Sequence, residues 1–260
     1  PAEIALLLDW AAQEGWNPGL GDAAAFSAAD PEGFFGAFVD GTMVAGVSAV
    51  AYDARFGFIG LFICHPDWRG QGHGKAVWQA AMAYLGDRTI GLDGVPEQVA
   101  NYAKAGFVPA YETVRMSGTL RANPAAPALP PARVEDIVAL DAQGFPASRD
   151  AFLRHWLSRP NRSMVLREAG TVIAYGVLRP CREGAKLGPL FARDLQAAAA
   201  VLAGLSGPIA IDVPTAQADW LQILSDHGLA PGFATTRMYR GAAPASTPHL
   251  VFGVTSLELG

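Results

Sequence analysis

Apolar positions recur at helical spacing over residues 2–15, where Ile4, Leu7, Leu8 and Ala11 share one face, and the pattern predicts an amphipathic helix. A second, shorter helix over 21–26 follows, closed by the turn signal Asp30-Pro31-Glu32-Gly33. The period then shortens. Residues 34–40 and 43–52 read as strands around an Asp40-Gly41 hairpin turn, and the apolar run 56–64 as a third, buried strand. A helix is predicted over 75–85, a strand over 88–93, a helix over 96–105 and a strand region over 107–120. Helices alternating with strands indicate a mixed α/β sheet.

Three segments of this pattern return later in the same order. Gly106-Phe107-Val108-Pro109 through Arg115-Met116 matches Gly228-Leu229-Ala230-Pro231 through Arg237-Met238 at the same spacing. Leu92-Asp93-Gly94-Val95-Pro96 echoes Ile211-Asp212-Val213-Pro214, and Ile59-Gly60-Leu61-Phe62 echoes Leu187-Gly188-Pro189-Leu190-Phe191. The echoes divide the chain into related halves, 1–120 and 134–260, joined by a Pro- and Ala-rich, extended linker over 121–133.

Between the third strand and the helix after it stands Arg69-Gly70-Gln71-Gly72-His73-Gly74-Lys75. Glycines let a ligand approach the backbone, and the first N–H groups of a helix have no internal partners, so the turn is a cradle for a phosphate or pyrophosphate. Ala76 follows Lys75, so the magnesium-binding hydroxyl of a P-loop is missing, and the spacing of a dinucleotide fingerprint is absent. The pattern that fits is R-G-x-G-x-G beyond a strand. It resembles the acyl-CoA loop of the GNAT superfamily of N-acyltransferases. A second match is Tyr102-Ala103-Lys104-Ala105-Gly106-Phe107, which resembles the end of the following GNAT helix.

The resemblance implies two GNAT-like halves in tandem and an acetyl-CoA-dependent N-acetyltransferase acting on the amine of a small molecule, with both substrates bound together. Acetyl-CoA is then the co-substrate, with no metal. The strand residues Phe62, Ile63 and Cys64 would pair with the pantetheine arm. Gly70, Gln71, Gly72, His73, Gly74 and Lys75 would hold the pyrophosphate by backbone N–H. Arg69 adds charge or braces the loop. Tyr102 would protonate the leaving thiolate. The acceptor needs a base, because an alkylammonium near pKa 10.4 is only about one part in a thousand neutral at pH 7, a cost of roughly 4 kcal/mol. Asp93 is the first candidate, though it could instead cap the helix that starts at Pro96. Glu14 is the second, with Trp16 beside it. The chain departs from the family where an asparagine usually precedes the tyrosine, since Val95 stands there, and no strand is read before the first helix, so that either the N-terminus is truncated or the sheet starts differently.

The second half departs further. After Ala192 it runs through Arg193-Asp194 straight into a helical stretch over 195–205, with no glycine loop, and Leu224 stands opposite Tyr102. It reads as a scaffold or as one wall of the substrate pocket. The charged residues between Arg179 and Lys186 read as a solvated turn, with a place in that wall as the alternative.

Composition narrows the setting. With 260 residues, 51% of them apolar, the chain can bury a large core. No apolar run approaches 18 residues and no secretory leader is visible, so neither a membrane span nor export is expected. Cys64 and Cys181 do not suggest a disulfide framework, and the reducing cytoplasm is expected. The five histidines are scattered, without metal-ligand spacing. Residues 1–120 carry a balance of −7 and residues 121–260 of +2, a poor surface for nucleic acid. A catalytically silent acyl-CoA-binding module is the alternative function. Transfer to a protein amine would need an open peptide groove.

Overall fold

The computed structural model describes residues 2–245 and 248–260. In chain order the first half contains α1 (Ala2–Gln13), α2 (Asp22–Ala29), β1 (Phe34–Val39), β2 (Thr42–Ala51), β3 (Phe56–Cys64), α3 (His73–Leu85), β4 (Thr89–Gly94), α4 (Val99–Lys104) and β5 (Val108–Leu120). The second contains α5 (Val134–Gly144), α6 (Asp150–Trp156), β6 (Arg162–Glu168), β7 (Thr171–Pro180), β8 (Ala185–Ala192), α7 (Leu195–Ala203), β9 (Gly207–Pro214), α8 (Ala218–Asp226), β10 (Ala230–Arg240) and β11 (Val251–Gly253). The predicted face of α1 is buried through Ile4, Leu7, Leu8 and Ala11. The predicted 96–105 helix divides into a 3-10 turn at Pro96–Gln98 and α4.

All the described strands join one mixed sheet in the order β1-β2-β3-β4-β10-β5-β9-β8-β7-β6, with β11 on β8. The halves therefore exchange their last long strands. β10 of the second half lies beside β4 of the first, and β5 of the first lies beside β9 of the second. The exchange is fastened by the echoed residues themselves. Arg237 sits opposite Asp93 in the β10–β4 register and grips both carboxylate oxygens at 2.8 and 2.7 Å. Arg115 sits opposite Asp212 in the β5–β9 register and does the same at 2.7 and 3.0 Å. Both pairs are buried.

On one face of the sheet α3 packs over Ala45, Val47 and Ala49 through Val77, Ala81 and Leu85. On the other, α1, α2, α5 and α6 share a single cluster, where the Phe26 and Trp156 rings stack at 6.1 Å. The linker carries no helix or strand and runs back along β6, where Val165 N–H donates to Pro130 O at 2.9 Å.

Each half also contains a pair of parallel strands that separate. β3 and β4 pair over Phe56–Ile59 and Thr89–Leu92, β8 and β9 over Ala185–Leu187 and Ile209–Ile211, and both pairs then splay. In the second half the chain's own end fills the gap. β11 pairs with β8, and Val254 N–H donates to Asp212 O at 2.9 Å. The tail then crosses to the first half through two close approaches at echoed glycines. A Cβ on Gly188 would lie 2.4 Å from Val254 O, and one on Gly60 would lie 1.9 Å from Glu258 O. Gly60→Ala is therefore expected to destabilise the protein by about 1–3 kcal/mol by overpacking. An unchanged denaturant midpoint would show instead that the tail moves aside freely.

Candidate active site

The gap between β3 and β4 is open and forms a pocket of about 340 Å³. β3 supplies its floor from Ile59 to Cys64 and carries an irregularity there. Leu61 has φ +46°, and the β2–β3 register slips between Ser48↔Gly60 and Gly46↔Ile63. Such a bulge frees ladder N–H and C=O groups from the neighbouring strand and turns them outward. Phe62, Ile63 and Cys64 all line the pocket.

The glycine turn leads from this floor into α3. Gly70 and Gly72 have φ +77° and +90°, the left-handed region that favours glycine. Nothing lies within 4 Å of a Cβ placed on either, so the space in front of them is open. Gly72 caps α3 without a side-chain hydrogen bond, and the helical ladder begins only with Ala76 N–H to Gly72 O. The N–H groups of His73, Gly74 and Lys75 precede that ladder and, with the helix dipole, suit an anion. Lys75 is exposed beside them. Gln71 is tied back through Nε2 to Asp67 O at 3.2 Å, and the His73 ring meets Trp68 edge-on at 5.6 Å. Arg69 braces the loop. Its Nε donates to Cys64 O at 3.0 Å and its Nη2 to Glu14 Oε1 at 2.7 Å.

Tyr102 faces the same pocket from α4. Its ring lies 5.7 Å from Trp78 and 6.3 Å from Phe107, and the bare Cα of Gly94 leaves room for its edge. Burial pushes the phenol up to about 12. Its hydroxyl has no hydrogen-bond partner among the described residues.

The two carboxylates expected as bases also reach the pocket, and both are engaged. Asp93 gives both oxygens to Arg237. Burial pushes its carboxyl up against the opposing pull of that guanidinium. Asp93 does not cap a helix, since the turn at Pro96 has no side-chain cap. Glu14 sits at the mouth, paired with Arg69. A third carboxylate, Glu258 from the tail, lines the pocket beside them and nothing in the local sequence marked it. The second half contributes Phe233 and Thr235 of β10 to the wall.

The stretch between Arg179 and Lys186 is a solvated turn at its tip, where Arg182 and Glu183 are exposed, but its two ends are buried. Arg179 is buried against Asp22, and Lys186 is buried with its Nζ donating to Trp16 O at 2.7 Å. This hairpin pins the segment carrying Trp16, another pocket residue, aided by Asn17 Nδ2 donating to Glu183 O at 2.9 Å. Leu224, opposite Tyr102 in the repeat, is core. Cys64 and Cys181 are both free thiols. Among the described residues no cluster of His, Cys, Asp and Glu could hold a metal ion, and no helix is long and apolar enough to cross a membrane.

Sequence profiles match both halves. The GNAT acetyltransferase family matches residues 2–107 and a GNAT acetyltransferase domain matches 137–253. The holothin acyltransferase of Pseudoalteromonas sp. (strain SANK 73390) is 33% identical over 99% of this chain and 92% of its own. The chain belongs to the GNAT acyltransferase family. It is a tandem GNAT protein, and its family uses acyl-CoA as co-substrate. Solved structures agree in fold. A proposed acetyltransferase from Pyrococcus horikoshii superposes with a TM-score of 0.78 at 20% identity, covering 92% of this chain and 84% of that one. A tandem GNAT protein from the clavulanic acid biosynthesis pathway superposes with 0.62 at 15% identity, covering 88% and 90%.

Proposed function

We propose that the first half transfers an acyl group, acetyl in the first instance, from acyl-CoA to the primary amine of a small molecule by direct attack, with both substrates bound. The observation that carries this reading is the contrast between two equivalent gaps. The gap beside the glycine turn is open, and its counterpart in the second half is filled by β11. A strand-like arm can lie on β3 as β11 lies on β8, with its pyrophosphate on the N–H groups of His73, Gly74 and Lys75. The residues present fit acyl-CoA on these grounds. Bound there, acyl-CoA supplies an activated thioester carbonyl.

The raised Tyr102 phenol defines its part. Burial keeps the proton on the phenol oxygen at neutral pH. Tyr102 is then a hydrogen-bond donor to the sulfur as charge develops there, and the acid that can protonate the leaving thiolate. Tyr102→Phe is expected to lower kcat roughly 100-fold with acyl-CoA affinity unchanged. Equal losses in kcat and affinity would remove this role.

The acceptor is taken to be a small amine, since β10, the tail, Glu14 and Trp16 wall the pocket. The name of the holothin acyltransferase does not restrict the acyl group to acetyl, so acetyl-, propionyl- and longer acyl-CoA belong in the same assay. The function is tested by mixing acyl-CoA with a panel of primary amines and detecting released thiol. Amine-dependent release supports the transferase. Acyl-CoA that raises the melting temperature with no amine accelerating release would support a silent binding module.

A further inference from the structure

We infer that Glu258, delivered from the chain's last residues, is the carboxylate that takes the proton from the acceptor's ammonium. The inference rests on the proposed transferase reading and deepens it. Three carboxylates line the pocket: Glu14, Asp93 and Glu258. A base needs an oxygen within reach of the reacting amine that is not already held by a cation. Asp93 has both oxygens held by Arg237, and Glu14 stands at the exposed mouth with Oε1 held by Arg69. Glu258 is 3% exposed, and its side chain has no hydrogen bond or ion pair among the described residues. Its oxygens are not among the sealed, unpartnered polar atoms and so open to the pocket, where a hydrogen-bond partner can arrive with the ligand.

The tail holds this carboxylate in place from several sides. Ser48 Oγ donates to Glu258 O at 3.5 Å, Tyr52 Oη to Leu259 O at 2.8 Å, and Leu259 N–H to Ser256 Oγ at 3.1 Å. Gly60 lets the Glu258 carbonyl sit directly on the floor strand. The charged groups that face Glu258 are Asp93 on β4, Arg115 on β5, Arg179 on β7, Lys186 on β8 and the thiol of Cys181. Glu14, Arg69 and Tyr102 stand around the same pocket. The same ten-residue tail thus does two things. Its first part, β11, fills the gap of the second half, and its last part completes the pocket of the first.

The step balances without any other reactant. The ammonium gives one proton to the Glu258 carboxylate. The freed nitrogen lone pair forms the new C–N bond at the thioester carbonyl, the C–S bond breaks, and its electron pair leaves on sulfur, which Tyr102 hydrogen-bonds. The second proton on nitrogen is lost to solvent as the amide forms.

The test is Glu258→Gln, isosteric and uncharged, with Glu258→Asp beside it. Each is assayed over pH 5.5–10 with tryptamine, histamine, spermidine and lysine as probes, and each is checked for melting temperature and acetyl-CoA affinity. The expected result for Glu258→Gln is a kcat loss of roughly 100-fold or more with acetyl-CoA affinity retained. Its remaining rate follows the free-amine fraction, rising about tenfold per pH unit up to the probe's own pKa. The parent protein levels off well below that pKa, and Glu258→Asp recovers part of the rate. Parent-like kcat and pH profile in Glu258→Gln would overturn the role while leaving the transferase intact. No amine accelerating release by the parent protein would overturn both. If Glu258→Gln melts early or loses acetyl-CoA affinity in proportion to kcat, Glu258 is structural and the inference falls.

Discussion

Gly72→Val is expected to lower acyl-CoA affinity roughly 100-fold or more by calorimetry, while the melting temperature falls only modestly. Gly72 has φ +90°, and a β-branched residue held there costs about 1–2 kcal/mol. The space around its absent Cβ is open, so no internal clash threatens the fold. The damage falls on the ligand side. Either the valine methyl groups stand where the pyrophosphate approaches the start of α3, or the backbone relaxes to negative φ and turns its N–H groups away. Each hydrogen bond to a charged group is worth about 1.5–3 kcal/mol, so two lost bonds suffice for the drop. Unchanged affinity would place the anion elsewhere.

Arg237→Met should be the most destabilising single change among the residues that fasten the two halves. It leaves Asp93 buried with no partner, and breaking a buried pair costs about 3–5 kcal/mol. For a chain of this size the loss is roughly 6–20 °C in melting temperature, read by calorimetry. Pairing it with Asp93→Leu should recover most of the loss, because the uncompensated charge is gone. The equivalent pair, Arg115→Met with Asp212→Leu, should behave in the same way. A single-variant loss below about 1 kcal/mol would show that these pairs do not fasten the exchanged strands.

What the sequence displayed was local. The turn from Arg69 to Lys75 was legible because left-handed glycines and an uncapped helix start are encoded within seven residues. The helix α1 and the hairpin β1–β2 were legible because period and turn chemistry are short-range. The repeat placed Asp93, Arg115, Asp212 and Arg237 at matching positions, yet not as partners. Alternation fixes which face of a strand is buried, and says nothing of which strand lies beside it. Only the observed register brings each half's arginine to the other half's aspartate. For that reason Asp93 read as a base when both its oxygens are held in a buried pair.

The burial of Arg179 and Lys186 was hidden in the same way. Their neighbours look like a charged turn, and their partners, Asp22 and the Trp16 carbonyl, lie more than 150 residues away. Glu258 carried no motif at all. Its place in the pocket comes from the path of the tail across Gly188 and Gly60, two glycines that the repeat singled out without revealing what passes over them.

The proposed function needs one acyl-CoA site, in the first half, in the gap whose counterpart in the second half is filled by β11. In a crystal structure with acetyl-CoA the pyrophosphate is expected on the N–H groups of His73, Gly74 and Lys75, the arm along Leu61 to Ile63, and the sulfur at the Tyr102 hydroxyl, with β11 still on β8. Acetyl-CoA lying along β8 with β11 displaced, or a sulfur far from Tyr102, would overturn the proposal.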